Sequence, residues 1–145
     1  MIAVDTNILV HAHRRDSPLH APAYRQLKAL AEGRATWAIP WPCVHEFAAV
    51  VTRSSLWNRP STTHDVAAQL QAWTAAPTMH CLGETDRHLD LLLDLLHEGA
   101  VTGAAVHDAR VAAICLGHGV RELWTADRDF TRFPRLKTRN PLVGT

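Results

Sequence analysis

Three things are scarce in this sequence: long apolar runs, cysteine, and an excess of charge of either sign. The longest stretch without Asp, Glu, Lys or Arg, residues 66–83, carries Gln69, Gln71, Thr74, Pro77 and His80, too polar and broken to cross a membrane. Asp5 stands where a secretory leader needs a basic and then an apolar run. Cys43, Cys81 and Cys115 are odd in number and far apart, each inside an apolar stretch, which suits buried thiols in a reducing compartment better than a disulfide framework. These features point to a soluble, cytoplasmic protein with no membrane partner. The net charge of +1 does not by itself select any partner. What remains is globular: 145 residues, 47% hydrophobic and 20% charged, enough for one domain spanning 1–145.

Short apolar runs alternate with helical periodicity along the chain. Strands are expected at 1–4, 36–39, 78–82 and 120–125. Helices are expected from the Asp5-Thr6-Asn7 turn to His13, over 18–32, from Pro42 to Arg53, from a capping pair at Thr62 and Asp65 to Trp73, and over 86–98 and 104–116. Residues 54–61 read as an exposed loop. In the 86–98 helix, Leu89, Leu92, Leu93 and Leu96 are assigned to the buried face, and the stripe Asp86, Asp90, Asp94 and Glu98 to solvent. After Phe130 come Arg132, Arg135, Lys137 and Arg139 with no acid, read as a solvated segment or a phosphate-binding rim. The alternation predicts an α/β domain, three layers deep, around a mostly parallel sheet.

Ligands of parallel sheets bind beyond the carboxyl ends of the strands, and two acids fall there: Asp5 after the first strand and Asp127 after the last. Each also has an ordinary role, Asp5 as a helix cap and Asp127 in a turn. Two more acids lie in apolar helices, Glu46 among Val44, Phe47 and Val50, and Asp108 among Val106, Ala109, Val111 and Ala112. A buried carboxylate must be paired, protonated or bound to a cation, and Arg53 and Arg110 are the available pairing partners. If all four acids meet, their repulsion is relieved by a multivalent cation. All-oxygen ligation selects Mg²⁺ or Mn²⁺, and such a site suits hydrolysis of a phosphodiester. The ten histidines offer no zinc motif, since His45-Glu46 and His97-Glu98 both lack a second His three residues on.

The opening Asp5-Thr6-Asn7, the lone Glu46 in the third helix, Asp108 in an Ala-rich helix and the Thr125-Ala126-Asp127-Arg128-Asp129-Phe130 box resemble the PIN-domain ribonucleases. Their order and spacing are most similar to the VapC toxins of bacterial toxin–antitoxin pairs. The resemblance implies that Asp5, Glu46, Asp108 and Asp127 hold Mg²⁺ or Mn²⁺, with Thr6, Asn7 and Thr125 orienting carboxylates or water. It implies hydrolysis of RNA to 3′-hydroxyl and 5′-phosphate ends, a homodimer, and a cognate VapB-type antitoxin that blocks the cleft. Asp129 is assigned to the turn and left out of the site. Arg14, Arg15, Arg53 and Arg128 are candidates for phosphate contacts, and Trp41, Trp57, Trp73 and Trp124 for base stacking.

Three other readings compete. A phosphatase with an aspartyl nucleophile at Asp5 normally has a second Asp two residues on, where this chain has Asn7. A non-catalytic RNA- or protein-binding module of the same fold keeps the shape without the chemistry. A histidine-pair ribonuclease works without metal and leaves cyclic phosphate ends.

Overall fold

The structure, a computed structural model, describes residues 1–144; Thr145 lies outside the described residues. In chain order the elements are β1 (Ile2–Val4), α1 (Thr6–His13), α2 (His20–Glu32), β2 (Trp37–Pro40), α3 (Trp41–Val51), α4 (Thr63–Thr74), β3 (Met79–Leu82), α5 (His88–Glu98), α6 (Val106–Gly117), β4 (Glu122–Trp124) and β5 (Thr138–Arg139). Short 3₁₀ turns at Gly103–Ala105 and Arg128–Arg132 lead into α6 and follow β4. All strand pairs are parallel, in the order β3-β2-β1-β4-β5. No helix is long and apolar enough to cross a membrane among the described residues.

The strand order places the layers and the cleft. The chain steps from β1 to β2 to β3 toward one edge, so right-handed crossovers put α1 to α4 on one face of the sheet. It then returns past β1 to β4, which puts α5 and α6 on the other face. Packing agrees: α1 lies against α2 and α3, α3 against α4, and α5 against α6. The direction of stepping reverses between β1 and β4, and parallel sheets open a crevice at the carboxyl ends of such a strand pair. The core fills both sides of the sheet, with Trp37, Ile39, Phe47, Ile114, Leu123 and Phe130 all almost fully enclosed.

Several local signals acted as expected. Thr62 accepts from the Asp65 amide at 3.0 Å while Asp65 accepts from the Thr62 amide at 2.9 Å, a reciprocal cap on α4. Pro42 occupies the first turn of α3, where its missing N–H costs nothing. α2 begins two residues after Pro18 because the Ser17 hydroxyl accepts from the Leu19 amide at 3.1 Å and folds 17–20 into a turn.

Two expectations hold only in part. In α5 Leu92 and Leu96 pack against the core as expected, but the fully buried leucines are Leu91 and Leu95, while Leu89 and Leu93 are 64% and 53% exposed. Leucine at six positions between 89 and 96 draws two overlapping stripes, and periodicity alone cannot choose between them. The basic C-terminal segment keeps Arg132, Arg135, Lys137 and Arg139 exposed, as a solvated segment would, yet it is built into the sheet and into ion pairs. It supplies β5, and the carbonyls of Lys137, just before that strand, and of Arg139 within it accept from the Leu123 and Thr125 amides at 2.9 Å each. Arg135 reaches Asp94 and Glu98 of the acidic stripe, each at 3.7 Å, and Lys137 reaches Glu122 at 3.3 Å.

Arg14 is also consumed by the fold. Its guanidinium forks onto Asp16 at 2.6 and 2.9 Å, donates to the Arg59 carbonyl and the Ser61 hydroxyl, and stacks 4.3 Å over Trp57. It therefore fastens the 54–61 loop to the end of α1 and is not a phosphate contact. A lysine cannot reproduce the fork or the stack. Arg14→Lys is expected to cost about 2 kcal/mol, read as a lower denaturant midpoint; an unchanged midpoint would contradict this role.

Candidate metal and active site

Asp5 ends β1 and caps α1 at the crevice between β1 and β4. Its amide donates to the Trp124 carbonyl at 2.9 Å, stitching the two strand ends together. Its carboxylate, 6% exposed, accepts from the Thr6 amide at 2.8 Å, the Thr125 hydroxyl at 2.8 Å, the Asn7 side-chain amide at 3.1 Å and the Cys43 thiol at 3.4 Å. The same polar groups tie in the loop after β4. Asn7 donates to the Thr125 hydroxyl oxygen at 3.1 Å and accepts from the Ala126 amide at 2.9 Å. The Thr125 oxygen also accepts from the Asp127 amide at 3.0 Å. The two short sequence boxes thus form one hydrogen-bonded unit across the seam.

The ordinary roles of Asp5 and Asp127 hold alongside their place in the cleft. Asp5 caps α1, and Asp127 accepts from the Asp129 amide at 2.8 Å to start the following 3₁₀ turn. A hollow of about 290 Å³ is lined by Asp5, Thr6, Asn7, Glu46, Asp108 and Asp127, with Val10, His11 and Val50. The sheet contributes Asp5 and Asp127, while α3 brings Glu46 from one face and α6 brings Asp108 from the other. A larger hollow of about 560 Å³, between α1, α2 and α4, contains none of these four acids.

Glu46 departs from expectation in being exposed, at the mouth of the cleft, where it accepts from the Thr6 hydroxyl at 3.3 Å. Val44 and Phe47 beside it in sequence face the core, while Val50, one turn on, lines the hollow with it. The structure does not pair Asp108 with Arg110: that guanidinium is held by Glu84 at 2.6 and 2.7 Å. Asp129 departs too. Carboxylate oxygens of Asp108, Asp127 and Asp129 all lie within 4.8 Å of one another, the one such group of three or more His, Cys, Asp or Glu among the described residues. The signal for Asp129 was the Asp-x-Asp spacing itself, since Asp127 caps the turn by accepting from the Asp129 amide and so folds residue 129 back beside it. Cys43 was legible as a buried thiol, but nothing in the sequence showed that it donates to Asp5.

Electrostatics mark the cluster as loaded. Burial raises the Asp5 carboxyl above its ordinary range, against the hydrogen bonds from Thr125, Thr6 and Cys43. Burial, followed by the charges of Asp127, Asp5, Asp129 and Glu46, raises Asp108 to about 6. Among the described residues no cation neutralises this group by an ion pair. An all-oxygen, multiply negative donor set fits a hard divalent cation.

The raised Asp108 pKa fixes a pH dependence. Between the ordinary 3.8 and about 6 the folded chain keeps a proton that the unfolded chain has released. Stability of the metal-free protein therefore falls as pH rises through that window and stays lower above it. Asp108 is partly exposed, so water screens the penalty to about 1 kcal/mol. Asp108→Asn is expected to melt higher than the parent at pH 8 without divalent cations, and equally at pH 4. Identical melting temperatures at pH 8 would contradict the burial and crowding of this carboxylate.

Comparison with known proteins agrees with this geometry. The family model of the PIN domain matches residues 2–136. A VapC ribonuclease of Mycobacterium bovis is 34% identical over 144 residues, covering 99% of this chain and 97% of its own. Among solved structures, Mycobacterium tuberculosis VapC20, described as a sarcin-ricin loop cleaving toxin, shares the fold with a TM-score of 0.68 at 15% identity, over 90% of this chain and 93% of that one. VapBC2 from Rickettsia felis, solved on a DNA fragment from its promoter, has a TM-score of 0.66 at 20% identity, over 96% and 98%. The chain belongs to the PIN-domain family and, within it, to the VapC-type proteins.

Proposed function

We propose that this protein is a Mg²⁺-dependent endoribonuclease, the toxin of a type II toxin–antitoxin pair, hydrolysing RNA phosphodiester bonds at Asp5, Glu46, Asp108 and Asp127. The observation that carries this reading is the meeting of all four acids in one open hollow at the switch point of the sheet. The VapC names of its relatives and the toxin–antitoxin pair among its solved neighbours support the biological setting.

Asp5 and Asp108 would hold the cation most directly, with Glu46 and Asp127 binding directly or through water, and Asp129 adds charge beside Asp108. When bound, the cation supplies the charge that offsets the carboxylates, activates water and stabilises the departing oxygen. The residues of the chain keep that arrangement fixed. Thr125, Asn7 and the Thr6 amide hold both oxygens of Asp5, and the Thr6 hydroxyl holds Glu46 toward the cleft. Mn²⁺ fits the same oxygen donors and substitutes for Mg²⁺. The partners that follow are an RNA substrate, a VapB-type antitoxin and a second copy of this chain in a homodimer, all in the cytoplasm.

With Mg²⁺, the purified protein is expected to cut RNA to 3′-hydroxyl and 5′-phosphate ends. Asp108→Asn should lower that rate by about 100-fold or more while keeping the fold, and EDTA should stop it. Cleavage that survives EDTA and leaves cyclic phosphates would indicate histidine chemistry instead. RNA bound but never cut, equally by the parent and by Asp5→Ala, would identify a non-catalytic module.

A further inference from the structure

The acid cleft has two lobes. One is the hollow toward α1 already described. The other, about 440 Å³, opens between α3 and α6 and is lined by Pro42, His45, Ala104, His107, Arg110 and Val111. Asp5, Glu46 and Asp108 form the wall common to both. A polynucleotide laid over that wall has its reacting phosphodiester at the acids and a nucleotide on either side.

Building on the ribonuclease reading, we propose that the lobe between α3 and α6 is a nucleobase subsite, with His45 and His107 in its lining and Trp41, stacked on His45, as the platform at its rim. Trp41 opens α3, is 44% exposed, and lies against the His45 ring at 6.1 Å between centroids and 30° between planes. Gly83 backs the indole: a Cβ there would sit 3.7 Å from Cδ1. The other tryptophans serve the fold. Trp37 is fully buried, Trp73 packs on Phe47 at 5.0 Å, Trp57 donates to the Val50 carbonyl beneath Arg14, and Trp124 donates to Glu122. Of the four stacking candidates, only Trp41 is a largely exposed ring in contact with a lobe-lining side chain, His45. Its other side lines a separate apolar hollow of about 230 Å³ with Ile39, Val44 and Met79.

The chemistry of the lobe favours a base over a phosphate. Arg110 is the one arginine or lysine among the described lining residues, and Glu84 already neutralises it. What remains open is aromatic ring and imidazole edge, groups that stack on bases and exchange hydrogen bonds with them. His45 and His107 are not part of the close carboxylate trio, so they are not counted among its metal-holding groups.

The test uses the full chain carrying Asp108→Asn, titrated by anisotropy with a short fluorescein-labelled single-stranded RNA of mixed sequence and with its abasic counterpart. Adding Trp41→Ala is expected to weaken RNA binding about tenfold or more, Trp41→Phe to restore most of it, and the abasic strand to bind both variants equally. In the otherwise unchanged chain, Trp41→Ala should leave Mn²⁺ affinity unaltered. If Trp41→Ala and His45→Ala bind RNA like their parent while the unchanged chain still cuts RNA in Mg²⁺, the subsite is overturned and the ribonuclease reading stands. If the unchanged chain cuts no RNA and Asp108→Asn binds none, the ribonuclease reading fails and the subsite falls with it.

Discussion

The Asp5 carboxylate sits in the seam between β1 and β4, and much of the molecule is arranged to hold it there. Removing a carboxylate from water costs several kcal/mol unless every lone pair is met. Here the Thr6 amide, Thr125 hydroxyl, Asn7 amide and Cys43 thiol meet them from three different elements. Each donor is itself fixed. Thr125 is held by β5 through the Arg139 carbonyl, Asn7 by the Ala126 amide, and Cys43 by full burial in α3. The last strand, only two residues long, therefore matters less for its ladder than for where it holds Thr125.

That anchor also explains why the cleft stays open. The four neighbouring carboxylates of Glu46, Asp108, Asp127 and Asp129 arrive on α3, α6 and the turn after β4. Like charges at this separation push apart, and together with burial, the larger cause, they raise the pKa of Asp108. The fold resists the push because the elements carrying the acids are locked by their apolar faces. Ala109, Ala112 and Ala113 of α6 and Phe47 and Val51 of α3 are buried. Small side chains on α6 let it approach closely enough to place Asp108 beside Asp127. Stability is given up at the cleft and recovered in the core, the pattern expected where a bound cation completes a site.

Much of this was legible in the sequence because its strongest signals are local. The Asp-Thr-Asn turn, the Thr62–Asp65 cap, the proline at the head of α3 and the alternation of apolar runs each specify structure within a few residues. What escaped depends on tertiary partners. The strand at Thr138–Arg139 has no apolar signature, since its role is to accept hydrogen bonds from β4. Leu89 and Leu93 match Leu91 and Leu95 in type, and only packing against α6 decides which pair is buried. Glu46 reads as enclosed from its apolar neighbours in sequence, yet a helix has two sides. Arg14 reads as a free cation until the 54–61 loop folds over it. The four acids were identifiable as candidates from their positions, whereas Asp129 joined them only through the turn that Asp127 caps.

The central claim is that these carboxylates form one cation-binding centre across the β1–β4 seam. Crystals grown with Mn²⁺ and measured at the manganese edge test it most directly, because the anomalous signal marks the ion independently of any activity. The account predicts a peak within bonding distance of Asp5 and Asp108, with Glu46 and Asp127 completing the shell directly or through water, and its loss in Asp108→Asn crystals. A map with no peak at the seam, or with its strongest peak among the histidines or the acids of α5, would contradict it.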